Sequence, residues 1–219
     1  SIKYIFICLP TACIKGKWFT DDIEKTIKKI ISIKGKKTRY NEIQDYVIIV
    51  RSTVYPGFAR QISYDMEIEN LVSNPEFLSE ATWEEDARNP SMIVIGADED
   101  KYRNDVKALY AGRFKYTRPI LTNSPTAEMI KVTMNAWFST KVMFFNEIFD
   151  YSQVAKANYE VVKGALETHP WGTKNHNVIF YNDRRGIHGS CLPKDLESMA
   201  TMSGSELLQT VHKMNRRFL

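Results

Sequence analysis

The sequence predicts a mixed α/β chain: a parallel sheet with helices on its faces, followed by an all-helical region. Three observations carry this. Short apolar, β-prone runs recur through the first half of the 219 residues, with helical patterns between them. Those runs are apolar almost throughout rather than alternating, as strands buried on both faces are. Beyond residue 125 the pattern changes to long stretches without internal Gly or Pro.

Residues 3–9 form the first apolar run, stopped by Pro10-Thr11. Thr20 with Asp21 and Asp22 reads as a capped helix start, and Ile23, Ile27, Ile30 and Ile31 keep helical spacing. Residues 34–45 are polar and irregular, a loop that holds the basic cluster Lys34, Lys36, Lys37 and Arg39. Residues 46–50 are a second buried strand, ending at Ser52-Thr53-Val54-Tyr55-Pro56-Gly57. Further strands are expected at 70–73, at 92–95 and near 118–121, with a helix over 100–110. In parallel sheets ligands bind beyond the carboxyl ends of strands, so both the Pro10-Thr11 and Ser52-Thr53 turns belong at that edge. The second half reads as a long helix over 125–152 and shorter ones over 158–166, 193–202 and 205–218. A loop spans 168–190. The domain boundary falls at 123–125, which divides the chain into 1–124 and 125–219.

Composition narrows the function. Hydrophobic content of 43% and charged content of 26% suit a globular protein, and the net charge of +4 is modest. No basic stripe interleaved with aromatics points to nucleic acid. No apolar run reaches membrane-spanning length and no signal-peptide pattern opens the chain. Neither partner is therefore expected. Cys8, Cys13 and Cys191 make an odd count without framework spacing, which fits reduced thiols in a cytoplasm.

The chemistry-bearing residues fall into three groups. Gly189-Ser190-Cys191-Leu192-Pro193-Lys194-Asp195 places a cysteine before a proline suited to a first helical turn. A thiol there sits beside the positive end of a helix, with Asp195 one turn along. Lys131 and Asn135, four apart on the long helix, share a face, and the neighbouring Met129, Ile130, Trp137 and Phe138 suggest buried surroundings. Glu76 and Glu80, also four apart, follow a strand and suit acid–base work, though such spacing is routine on a helix surface. A metal site built from His169, His176, His188 and Cys191 fits no familiar spacing, and no metal is expected.

Five segments in register resemble the nucleotide-sugar 6-dehydrogenase family, the UDP-glucose/GDP-mannose dehydrogenases. They are Phe6-Ile7-Cys8-Leu9-Pro10-Thr11; Ser52 to Gly57; Asn74-Pro75-Glu76-Phe77-Leu78; Ala127-Glu128-Met129-Ile130-Lys131 with Asn135 and Asn146-Glu147; and Ser190 to Asp195. The resemblance implies a Rossmann-like cofactor domain followed by a helical central domain that pairs subunits, so a homodimer through the 125–152 helix is expected. It implies NAD as cofactor and oxidation of a nucleotide sugar at C6, as in polysaccharide biosynthesis. UDP-glucose going to UDP-glucuronate is the first candidate; GDP-mannose and N-acetylated UDP-sugars are alternatives.

By resemblance, Cys191 attacks the intermediate aldehyde, giving a thiohemiacetal and then a thioester. Lys131 and Asn135 donate to the oxyanion. Asp195 and Thr53 handle water, and Glu76 or Glu80 is the base for thioester hydrolysis. Pro10, Thr11, Thr53 and Glu80 lie along the nicotinamide. Phe77, Leu78, Lys131, Asn135, Gly186 and Gly189 hold the sugar nucleotide.

The chain also departs from the family pattern. It has no Gly-x-Gly-x-x-Gly turn, so its first strand corresponds to a later strand of the family's cofactor domain. The chain is expected to match a middle piece, without a C-terminal nucleotide-binding domain. Its loop reads Gly186-Ile187-His188-Gly189 where the family has Gly-aromatic-Gly-Gly. Arg184, Arg185 and Met92 are further departures that bear on the sugar or its phosphates. A truncated binding or assembly module of the same fold is the non-enzymatic alternative.

Overall fold

The computed structural model describes residues 3–35 and 46–218. In chain order its first elements are β1 (Tyr4–Ile7), β2 (Ala12–Ile14), β3 (Lys17–Phe19), α1 (Asp21–Lys34), β4 (Val47–Val50), α2 (Phe58–Met66) and β5 (Leu71–Ser73). There follow α3 (Trp83–Arg88), β6 (Val94–Gly96), α4 (Asp100–Ala111), β7 (Ile120–Thr122) and α5 (Ser124–Val154). The last three are α6 (Tyr159–Thr168), α7 (Leu192–Ser203) and α8 (Glu206–Asn215). Apart from Lys34 and Gly35, the expected polar loop lies outside the described residues.

Two compact units divide the chain, one of Ser1–Ala12 and Trp18–Lys131, the other of Cys13–Lys17 and Val132–Leu219. The sequence reading puts the division at 124/125. The first turns of α5 belong with the sheet because Ala127 and Glu128 are buried there: Ala127 lies against Gly96, and Glu128 bonds Gly57, Ala59 and Ser73.

In the first unit the sheet order is β1-β4-β5-β6-β7. All four residues of β4 are at most 1% exposed, which is why that run lacks alternation. Ile48 and Val50 face Ile23 and Ile27 of α1 and Phe58 and Ile62 of α2. Val47 and Ile49 face Tyr102 and Val106 of α4. Each such aliphatic side chain contributes about 1.5–3 kcal/mol by leaving water. β1, β4 and β5 pair in parallel, as do β6 and β7. The sheet is mainly parallel, as expected, with one exception at β5–β6, which pair antiparallel through Ser73 and Gly96. A parallel return needs a crossover element packed on the sheet. The connecting helix α3 has six residues and buries none of them, so it supplies no crossover.

Three local expectations change. Ala12–Ile14 and Lys17–Phe19 form a two-stranded ribbon the pattern did not reveal, turning at Lys15 and Gly16, both at positive φ. Thr20 precedes α1 without capping it; its hydroxyl donates to Glu24 Oε1 at 2.9 Å instead. Several strands also start one or two residues later than their apolar runs.

The second unit is helical. Leu196 and Ala200 of α7, Leu208 and Val211 of α8, and Ala136 and Met143 of α5 share one core. Phe145, Tyr159 and Ile179 form a smaller one. Asn158 caps α6 through the amides of Glu160 and Val161, and Ser205 caps α8 through Leu208. The 168–190 segment, as expected, has no helix beyond Thr168 and only one isolated bridge, Tyr181 to Arg184.

Candidate active site

Helix α5 buries a polar stripe alongside apolar residues such as Val132 and Met143. Ser124, Glu128, Lys131, Asn135, Ser139 and Asn146 recur at helical spacing and are all buried, none more than 6% exposed. The exposed positions include Met129, Trp137, Phe144 and Tyr151. Burial of Lys131 and Asn135 is as expected. The reason offered for it is corrected: two of the four neighbours named, Met129 and Trp137, are themselves about half exposed, at 48% and 56%. What buries the polar residues is the set of partners each unit supplies.

In the first unit Lys131 donates to Glu76 Oε1 at 2.9 Å, and its ammonium lies 5.5 Å from the Phe77 ring centre. The other Glu76 oxygen accepts from the Leu78 amide at 2.8 Å, so the carboxylate is fixed by its own turn. Glu80 and Leu78 are exposed. At the sheet edge the two strand-end turns are laced together. Thr11 Oγ1 donates to the Thr53 carbonyl at 2.9 Å, and Ser52 Oγ donates to the Leu9 carbonyl at 2.7 Å. Pro10 is exposed and Thr11 buried within this pair of turns.

Two features of this unit escaped the sequence reading. Glu128 is 3% exposed and accepts from Gly57 N at 2.6 Å, Ala59 N at 3.0 Å and Ser73 Oγ at 2.6 Å. Burial pushes its carboxyl up to about 7, against the pull of those three donors; the charge of Asp98 adds to the rise. Its signal in the sequence is a lone acid on the same helical stripe as Lys131. The second is a cleft of about 260 Å3 lined by Arg51, Asn74, Glu76, Phe77, Met92 and Tyr110, among others. Arg51 Nη1 donates to Asn74 Oδ1 and to the Tyr110 hydroxyl, both at 2.8 Å.

In the second unit Cys191 immediately precedes α7, Pro193 lies in the first turn, and the thiol is exposed, 3.5 Å from Ser190 Oγ. Asp195, 1% exposed, accepts from Asn135 Nδ2 and from Lys194 Nζ, each at 2.6 Å. Asn135 and Asp195 thus meet at the helix start that Cys191 precedes. Gly186 is at φ +89°, and a Cβ there would meet Asn215 Oδ1 at 2.7 Å and Phe218 Cβ at 2.8 Å, so its backbone conformation and these side chains favour glycine. Gly189 is at φ +87°. Arg185 is spent internally: it bonds Asn146, pairs with Asp150 and lies over the Phe149 and Phe218 rings. His188 bonds the Arg185 carbonyl, while Arg184 is exposed.

Among the described residues no three His, Cys, Asp or Glu side chains gather as a metal site. His176 stacks on Phe138, and His169 packs against Trp171. No helix among them is long and apolar enough to cross a membrane.

Residues 1–113 match the NAD-binding domain of the UDP-glucose/GDP-mannose dehydrogenase family, and residues 125–217 match its central domain. The chain belongs to that family. It is 29% identical over 183 residues to UDP-glucose 6-dehydrogenase of Rickettsia typhi, covering 79% of this chain and 41% of that protein. It is 33% identical over 215 residues to GDP-mannose 6-dehydrogenase of Pseudomonas syringae pv. tomato, covering 91% of this chain and 46% of that one. A solved UDP-glucose dehydrogenase from Pyrobaculum islandicum superposes with a TM-score of 0.84 at 22% identity, over 98% of this chain and 50% of its own. The chain spans about half the length of the relatives it matches.

NAD is the cofactor of this dehydrogenase family. The described residues fit one end of it. The laced turns at Leu9–Thr11 and Ser52–Thr53 end two adjacent parallel strands, where such sheets receive a dinucleotide. The sequence holds no glycine-rich turn to fit the pyrophosphate.

Proposed function

We propose that the chain carries out NAD-dependent oxidation of a nucleotide sugar at C6, with UDP-glucose going to UDP-glucuronate through a cysteine-bound intermediate. One observation carries this reading: an exposed thiol just before α7, one helical turn ahead of a buried carboxylate, Asp195, that Asn135 and Lys194 hold in place. Bound at Pro10, Thr11, Thr53 and Glu80, NAD would supply the hydride acceptor for both oxidations. The other roles belong to side chains.

Cys191 adds through sulfur to the sugar aldehyde, giving a thiohemiacetal that keeps the aldehyde from escaping; loss of hydride turns it into a thioester. Asn135 and Lys131 donate to the oxygen that gains charge as the thiol adds. Asp195 takes the proton through water, with Thr53 holding that water. Glu76 or Glu80 accepts a proton from the water that hydrolyses the thioester, releasing the acid and restoring the thiol. Phe77, Leu78, Gly186 and Gly189 bound the sugar nucleotide. Two exposed thiols, at Cys8 and Cys191, support a reducing cytoplasmic setting.

The exposed apolar stripe of α5 supports a homodimer through that helix, and equally a second reading in which the chain serves as an assembly module. NADH formation from NAD+ with UDP-glucose, GDP-mannose and N-acetylated UDP-sugars, beside a Cys191→Ala control, decides between them. The dehydrogenase reading expects about two NADH per sugar from the parent and no acid from the control. No NADH with any sugar at saturating NAD+ leaves the assembly reading.

A further inference from the structure

We infer that Glu128 is a positioning residue: its buried carboxylate holds the turn carrying Thr53 and the strand end leading to Glu76 in register with Lys131. Three separate stretches of chain meet at this one side chain. Gly57 closes the Ser52–Gly57 turn and Ala59 lies in the first turn of α2, and their amides donate to the two carboxylate oxygens, at 2.6 and 3.0 Å. Ser73 ends β5, three residues before Glu76, and its hydroxyl donates at 2.6 Å. Glu128 itself lies one helical turn before Lys131 on α5.

A carboxylate suits this task better than any neutral side chain. It has lone pairs enough for three donors, and charge-assisted bonds are short and strong. It also meets the amide end of α2, where negative charge is favoured. A plain helix anchor accounts for Gly57 and Ala59 but leaves the Ser73 bond without a purpose. A small cavity of about 10 Å3, close to the room one water needs, is bounded by Thr53, Ser73, Pro75, Glu128 and Lys131. Glu128 therefore faces the same small space as two residues that the proposed chemistry uses. The inference deepens that reading and rests on it for the roles of Thr53, Glu76 and Lys131.

The test reads Lys131 directly and needs no turnover. The full chain and its Glu128→Gln variant are treated with limiting N-hydroxysuccinimidyl acetate at mildly alkaline pH. Acetylation of Lys131 is then compared by peptide mass spectrometry with that of exposed Lys107. Glutamine keeps the shape but loses the charge and one acceptor oxygen, which weakens the charge-assisted bond from the Ser73 hydroxyl and loosens the segment leading to Glu76. The Lys131 to Lys107 ratio is expected to rise about three- to tenfold, the factor one lost hydrogen bond carries, with the thermal midpoint little changed. A lowered midpoint with an unchanged ratio overturns the inference and leaves Glu128 a structural anchor. If Glu128→Gln does not fold, Ser73→Ala, which keeps the carboxylate, decides by the same ratio. A raised ratio in a chain that oxidises no sugar would retain the positioning role and refute the dehydrogenase reading; the reverse pair of results would do the opposite.

Discussion

Glu128 gives this protein a pH dependence that can be worked out from sign alone. Burial raises its carboxyl from the ordinary glutamate range to about 7 in the folded chain. A raised carboxyl favours the folded state while protonated, and that contribution is lost as pH climbs from the unfolded value through about 7. Glu128→Gln removes the titration. Its stability relative to the parent should therefore improve between pH 5 and pH 7.5, by on the order of 2–3 kcal/mol in urea unfolding. A difference that stays flat across that range would contradict the argument. The same residue shows what the sequence makes legible at this scale. Cys191 and Asp195 announce themselves because their spacing alone predicts a shared helix start, whereas the bond from Asn135 to Asp195, at 2.6 Å, joins segments that no local spacing relates. Glu128 stands in plain view in a motif, yet its donors come from residues 57, 59 and 73. No local pattern encodes that meeting.

At the scale of elements, strands buried on both faces were legible because β4 is apolar at every position. The antiparallel β5–β6 pair was not, because a weak six-residue helix looks in sequence like any other connection. Gly96 shows how tightly β6 meets α5. A Cβ there would come within 2.5 Å of the Ala127 Cβ and 2.7 Å of the Asn123 carbonyl, with no positive φ involved. Gly96→Ala should cost about 1–3 kcal/mol by overpacking, and adding Ala127→Gly should recover part of it. Denaturant titrations of the single and double variants check this. Additive losses would mean the two sites do not share the contact.

For the molecule as a whole, a change of pattern near residue 125 was legible in the sequence. The assignment of the first turns of α5 to the sheet unit was not, since it depends on tertiary partners of Ala127 and Glu128. Self-association through the half-exposed apolar stripe of α5 remains a proposal, and the stripe says how to test it. Trp137, Phe144 and Tyr151 are 56%, 53% and 70% exposed at seven-residue spacing. A homodimer through this stripe should dissociate on Trp137→Glu with Phe144→Glu, read by sedimentation velocity, while helix content by circular dichroism holds. An unchanged sedimentation coefficient would remove the stripe from the interface. The buried polar stripe of α5 has a practical result for anyone surveying variants of this chain. Lysine and serine of that stripe are as intolerant as its buried methionine, and Trp137 is the permissive letter in a lone subunit, so a substitution matrix tuned to ordinary surfaces would misrank the stripe.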